Sequence, residues 1–179
     1  MSQRRRLGRL AVLLIVAAGL LGARERGATT PAPSATGPQE VSVAGLLVDE
    51  RTHALTVVLQ GKRDKRSFAM VIGPAEATGI AFPLQNMTPP RPLTHDLFLT
   101  LFGRLRVTVT KAVITDIRDN IYYATLYLSA NGATMELDSR PSDAIALAIR
   151  AKAPMFADDR VFEKAEQAPG APPGTGPRI

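Results

Sequence analysis

The sequence predicts an α+β fold, a compact domain of mixed or antiparallel sheet with apolar helices packed on it. Three observations predict this class. Short segments rich in β-branched residues alternate with polar turns. Helical segments open at Pro74 and Pro141. The two halves of the globular region also match each other at a fixed offset of 67 residues, which predicts a duplicated β-β-β-α unit.

The first half of the globular region contains three predicted strands and one helix. Polar turns at Asp49–Thr52 and Gly61–Arg66 separate the strands. The helix opens at Gly73-Pro74, where a missing proline N–H costs nothing, and Pro83 is expected to end it. The predicted strands are 41–49, 54–59 and 67–72, and the helix is 74–82.

The second half repeats this order after a helix predicted from Thr94 to Phe102. Strands are predicted at 106–117, 121–129 and 133–138, followed by a helix from Pro141 to about Ala151, a short strand at 154–156 and a helical segment at 158–164. In the strand 121–129 the residues alternate, which predicts one core face and one wetter, aromatic face. The core face holds Tyr122, Ala124, Leu126 and Leu128, and the other holds Tyr123, Thr125, Tyr127 and Ser129.

The 67-residue offset requires no gap over roughly forty residues. The matches fall at turns and at helix starts: Asp49 with Asp116, Arg51 with Arg118, Leu59 with Leu126, Pro74 with Pro141, Glu76 with Asp143, Ala77 with Ala144, and Ile80 with Leu147. The alternative is that any two β-β-β-α units share acidic turns and prolines that open helices.

The ends of the chain differ in composition from the region between them. A basic stub followed by the apolar run Leu10–Leu21 makes residues 1–26 a predicted signal peptide or signal anchor. Residues 27–39 are predicted to be a flexible linker, 40–166 the domain, and 167–179 a disordered tail rich in proline and glycine. The expected location is therefore outside the cytoplasm, periplasmic or extracellular, or anchored to a membrane by the amino terminus.

The charge of the chain is concentrated at its ends. The formal net charge is +6, but residues 40–166 contain 15 basic and 15 acidic side chains. This balance argues against a domain coated in positive charge for non-specific binding of nucleic acid. The chain has no cysteine, which excludes disulfides, thiolate metal sites and a cysteine nucleophile, and two histidines are too few for a histidine-rich zinc site.

Two polar clusters carry the candidate chemistry, and each lies where a loop enters a helix. The first is Arg91–Asp96 and the second is Asp138–Asp143. Helix amino termini favour anions, and arginine binds phosphate through two hydrogen bonds. Carboxylates that converge would suit Mg²⁺ or Mn²⁺, and the candidate ligands are Asp96, Asp138 and Asp143. His95 is the better placed imidazole for moving a proton, since His53 lies in a turn.

The same residues also have a purely structural interpretation. Thr94 is a good helix cap, with Leu93 and Phe98 packed across it. Glu76 and Asp143 would stabilise the first turns of their helices, and Asp138 could pair with Arg140.

The motifs Arg91–Leu97 and Asp138–Ala148 together resemble those of the bifunctional nuclease domain family, as do Ile72–Ala77 and Val113–Asp116. The resemblance covers residues 41–164. It implies a compact α+β domain and, for some members, RNase and DNase activity, without an agreed catalytic mechanism. Its motif positions correspond here to Arg91, Thr94, His95, Asp96, Asp138, Arg140, Ser142 and Asp143. Unlike the family pattern, the strand Ser67–Ile72 has no proline before Ile72-Gly73.

The leading hypothesis is an exported or tethered nuclease that hydrolyses RNA or DNA with a divalent cation. In this scheme His95, Asp138 and Asp143 are catalytic, Arg91, Arg140 and Ser142 bind substrate, and Asp96, Asp138 and Asp143 hold Mg²⁺ or Mn²⁺. The alternative is a non-catalytic binding or assembly module. Expected partners are nucleic acid, a membrane if the amino-terminal segment is not cleaved, and further copies of the chain through sheet edges.

Overall fold

Seven strands form one curled mixed sheet, a half-barrel, in the computed structural model, which describes residues 37–167. The strands are β1 (Gln39–Val48), β2 (Leu55–Gly61), β3 (Ser67–Ile72), β4 (Val107–Arg118), β5 (Ile121–Ala130), β6 (Ala133–Ser139) and β7 (Met155–Ala157). Four helices pack on the sheet: α1 (Pro74–Leu84), α2 (Thr94–Arg104), α3 (Pro141–Ala151) and α4 (Asp159–Gln167). The predicted α+β class is confirmed.

The strand order is β3-β2-β1-β7-β4-β5-β6. Strands β1 to β3 form one antiparallel meander and β4 to β6 form another. The short strand β7 joins them, antiparallel to β1 and parallel to β4. Both halves therefore have the same connectivity, three antiparallel strands followed by a helix. Helices α1 and α3 begin and end 67 residues apart, in agreement with the predicted duplication.

The core lies between the sheet and the helices. In β5 the predicted alternation is confirmed, because Ala124, Leu126 and Leu128 are buried and their neighbours on the strand are more exposed. Helix α3 is the most deeply buried helix, since α1, α2 and the sheet cover it. Phe162 of α4 is fully buried and packs edge-on against Phe68 of β3.

Two helix boundaries differ from the prediction. Pro83 lies inside α1, which continues to Leu84 instead of ending at Phe82. The N-cap of α2 is Leu93, so Thr94 is its first helical residue and not its cap, and no side-chain oxygen caps the helix. Instead, the Asp96 carboxylate accepts the backbone N–H of Leu93 at 2.8 Å, which satisfies one donor at the start of the helix.

The predicted signal segment (1–26), nearly all of the predicted linker (27–39) and nearly all of the predicted tail (167–179) lie outside the described residues. Strand β1 begins at Gln39, the last residue assigned to the linker. Within residues 37–167, no helix is both long enough and apolar enough to cross a membrane.

Candidate functional site

The two polar clusters predicted from the sequence meet where the first turns of α2 and α3 contact each other. His95 lies in the first turn of α2 and Asp143 in the first turn of α3. Their side chains are in hydrogen-bond contact, with 3.1 Å between His95 Nε2 and Asp143 Oδ1. Two segments that are 48 residues apart in the chain thus form one site.

Arg140 connects this pair to the first repeat. Its Nε donates to Asp143 Oδ2 at 2.7 Å and its Nη2 to Asp143 Oδ1 at 3.2 Å. Its Nη1 donates to Glu76 Oε1 of α1 at 3.0 Å. Glu76 and Asp143 occupy equivalent positions of the two repeats, so matching first-turn acids hold one guanidinium. The Arg140 side chain is still 66% exposed, which leaves it accessible to a ligand.

The ionisation of Asp143 follows from these contacts. Burial alone raises the pKa of this carboxyl, because it disfavours the charged form. Hydrogen bonds from Arg140 and His95 outweigh the burial, so the net pKa lies below the ordinary aspartate value. Asp143 is therefore a carboxylate at neutral pH.

His95 is held against the backbone of α1. A Cβ atom added at Gly79 would lie 2.8 Å from Cε1 and 2.9 Å from Nδ1 of the imidazole, too close for any real contact. Glycine at position 79 therefore makes the space that the ring occupies. His95 is only 9% exposed, so the accessible side of the site is formed by Arg140 and the partly exposed Asp143.

Arg150 ties the three helices together behind this site, and its side chain is 8% exposed. Its Nε donates to Asp96 Oδ1 at 2.7 Å, and its Nη1 donates to the carbonyl oxygens of Ala146 (3.1 Å) and Gly79. The Gly79 carbonyl would normally accept the backbone N–H of residue 83, which is a proline and has none. Arg150 thus supplies the donor that Pro83 lacks.

The remaining predicted site residues lie apart from this contact network. Arg91 is exposed, and no hydrogen bond or ion pair to another described residue is found for it. Ser142 is buried in the first turn of α3. Asp138 is exposed on β6, paired with Thr125, on the opposite sheet face from Leu137. The suggested pair between Asp138 and Arg140 does not form, because Arg140 binds Glu76 and Asp143.

The acids predicted to hold Mg²⁺ or Mn²⁺ do not fit such an ion in this arrangement. Asp96 bonds Arg150 through one oxygen and the Leu93 N–H through the other. Both oxygens of Asp143 accept Arg140. Within residues 37–167, no three His, Asp or Glu side chains are grouped so that they could hold a metal ion.

Three residues of the site were not identified as functional from the sequence: Glu76, Gly79 and Arg150. Glu76 was assigned only to the first turn of α1, although its match with Asp143 in the repeat pointed to a related place. Pro83 was a usable signal for Gly79 and Arg150. A proline inside a helix has no N–H, so the carbonyl four residues earlier, here that of Gly79, needs a donor from elsewhere. Which side chain supplies that donor depends on tertiary packing.

Two further ionic clusters anchor α4. Lys164 donates to Asp116 Oδ1 at 2.6 Å, and hydrogen bonds first from Lys164 and then from Arg118 hold the pKa of Asp116 far below its usual range. Arg63 and Arg66, from the charged turn after β2, both donate to Asp159 at 2.8 Å. These clusters lie on other elements than the His95 site and fasten the last helix to the sheet.

Comparisons with known proteins agree with this architecture. A family model described as the bifunctional nuclease domain matches residues 57–169. An uncharacterized protein of Mycobacterium tuberculosis is 32% identical over 126 residues, which cover 70% of this chain and 75% of that protein. Bifunctional nuclease 1 of Oryza sativa subsp. japonica is 35% identical over 81 residues, 44% of this chain but only 24% of the rice protein. The chain therefore belongs to the bifunctional nuclease domain family.

Proposed function

We propose that this protein is a nuclease and that it binds the phosphodiester of its substrate at Arg140. One observation carries the proposal: an exposed guanidinium is held in place by two carboxylates, Glu76 and Asp143, at the amino terminus of α3. An arginine fixed in this way is pre-organised for a phosphate, because its side-chain freedom is already restricted. The name of the rice relative, bifunctional nuclease 1, supports the same class of reaction.

The residues around Arg140 have distinct roles in this proposal. Arg140 contacts a non-bridging phosphate oxygen and stabilises the charge that develops in the transition state. Asp143 is partly exposed, and its Oδ2 has one lone pair that neither Arg140 nor His95 uses, so it orients the attacking water. His95 donates to Asp143 from the buried side and fixes its orientation. Arg91, exposed in the loop before α2, is the second candidate for phosphate contact.

The test is cleavage of end-labelled RNA and DNA oligonucleotides by the purified full chain, with and without Mg²⁺, Mn²⁺ or a chelator. Arg140→Lys keeps the charge but loses the forked geometry, and we expect it to lower kcat/KM by about tenfold or more. Arg160→Lys is the matched control, since Arg160 is also paired with an aspartate and is 61% exposed. Equal cleavage by both variants would contradict the assignment of Arg140.

A second candidate function is a non-catalytic binding module. The observation that favours it is that His95, Asp96 and Asp143 are all engaged in contacts that tie α1, α2 and α3 together. In that case the network is structural, the full chain cleaves no oligonucleotide under any metal condition, and Arg140→Lys changes only binding or stability.

A further inference from the structure

We infer that the face of β4, β5 and β6 that carries Tyr127 binds a single-stranded nucleic acid, with one nucleotide placed on the row Lys111–Tyr127–Glu136. The inference rests on the proposed function, because it names the substrate class of the same nuclease. It arises from the aromatic face of β5, which the site around Arg140 does not use.

The row is defined by the register of three adjacent strands. Lys111 of β4 pairs with Tyr127 of β5, and Tyr127 pairs with Glu136 of β6, so all three side chains project from the same face. The Lys111 ammonium lies over the Tyr127 ring, 4.2 Å from its centroid. A cation, an aromatic ring and an acid therefore follow one another across the sheet at spacings of about 4.8 Å.

The charges on the two sides of Tyr127 are complementary to the two ends of a nucleotide. On the β4 side, Lys111 is placed to meet a phosphate. On the β6 side, Glu136 and Asp138 are exposed, and neither has an ion-pair partner among residues 37–167. A carboxylate repels phosphate but accepts a hydrogen bond from the exocyclic amino group of a base, as Glu and Asp do with cytosine. The base would stack on the ring face of Tyr127 that the Lys111 ammonium does not cover, with its backbone toward β4 and its edge toward β6.

The geometry also selects a single strand. A base in a duplex is stacked on its neighbours, and its face cannot reach a ring that lies on a sheet. Tyr123 projects from the same face four residues before Tyr127, about 13 Å away along the strand. The Arg118 guanidinium lies 4.7 Å from the Tyr123 centroid, which repeats the combination of cation and ring. A nucleic-acid strand that follows β5 from Tyr127 to Tyr123 runs toward the carboxyl end of β6. Arg140 comes directly after that end in the chain.

The experiment measures fluorescence anisotropy of short labelled oligonucleotides on the full chain, with phosphorothioate linkages so that the probe keeps its charge and resists cleavage. Tyr127→Leu should weaken binding about 5- to 150-fold, the equivalent of ~1–3 kcal/mol of stacking per base. Tyr127→Phe keeps the ring and should bind as the unchanged protein does. Duplex of the same sequence should bind far more weakly than the single strand.

Two charge variants separate the proposed contacts from general electrostatics. Lys111→Gln should weaken binding, whereas Lys65→Gln, at the exposed turn after β2, should not. Glu136→Gln should reduce the preference for oligodeoxycytidine over oligodeoxythymidine, whose base has no amino group. Equal losses for Lys111→Gln and Lys65→Gln, or full binding by Tyr127→Leu, would overturn the inference.

The two proposals fail in different ways. If the single strand binds with this pattern of variants but is never cleaved, the binding face stands and the nuclease proposal falls. If oligonucleotides are cleaved while Tyr127→Leu binds and cleaves as the unchanged protein does, the nuclease proposal stands and the binding face falls.

Discussion

Arg150→Met tests whether the buried guanidinium holds the three helices together. The substitution preserves much of the aliphatic volume and removes every donor. It breaks the 2.7 Å bond to Asp96 and leaves the Gly79 carbonyl without a donor, because Pro83 has no N–H to offer. Hydrogen bonds to charged groups contribute about 1.5–3 kcal/mol, and an unsatisfied buried carbonyl costs about 1–3 kcal/mol.

These two losses are not fully additive, since Asp96 is one-third exposed and gains solvation when its partner is removed. We therefore expect Arg150→Met to lower the free energy of unfolding by about 3 kcal/mol. For a domain of this size the corresponding fall in Tm is roughly 10 °C. Thermal and urea unfolding followed by circular dichroism measure both quantities on the same protein.

Arg160→Met is the matched control, because Arg160 is exposed and makes one long ion pair, 3.5 Å, with Asp158. It should change the free energy of unfolding by no more than about 0.5 kcal/mol. If Arg150→Met unfolds within about 1 kcal/mol of the unchanged protein, then Arg150 is not the donor that completes α1.

Three other predictions concern Gly79, Asp138 and Asp143. Gly79→Ala places a Cβ against the imidazole of His95, so we expect His95 to lose its contact with Asp143. The loss should appear in NMR spectra as a shift of the histidine signals, and the free energy of unfolding should fall by about 1–3 kcal/mol. Asp138→Asn should leave Tm unchanged, because Asp138 is exposed and unpaired within the described part of the chain. A fall in its kcat at saturating substrate would report the catalytic role predicted from the sequence, whereas a change in KM alone would report the proposed binding face. The pKa of Asp143 in the folded protein lies below its unfolded value of about 4. The Asp143 carboxylate therefore stabilises the fold fully above about pH 4, and this contribution is lost as the pH falls toward the folded pKa. Unfolding free energies from pH 7 to pH 3 should therefore fall less for Asp143→Asn than for the unchanged protein, and equal slopes would rule out this contribution.

The strands, the helix α3 and the duplication were predictable because they depend on local signals. Alternation along β5 determines which side chains are buried, and Pro141 fixes the start of α3 with little help from the rest of the chain. The convergence of the two polar clusters could be expected from their shared place at helix starts, and His95 and Asp143 do meet.

The choice of partners within the site could not be predicted. Arg140 has Asp138 two residues away in sequence, yet it bonds Glu76, which is 64 residues away. Alternation along a strand would place residues 138 and 140 on one face, but β6 ends at Ser139, so the alternation no longer governs Arg140. Pro83 was expected to end α1, but the helix continues because Arg150, from another helix, bonds the carbonyl that proline leaves free.

The central claim is that Arg140 serves phosphodiester cleavage, and one measurement tests it most directly. Cleavage of a labelled single-stranded oligonucleotide is followed for the full chain, for Arg140→Lys and for Arg160→Lys, together with the Tm of each. We predict cleavage by the unchanged protein, a fall of about tenfold or more in kcat/KM for Arg140→Lys alone, and little change in Tm among the three. No cleavage by the unchanged protein under any metal condition, or equal rates for the two variants, would contradict the claim.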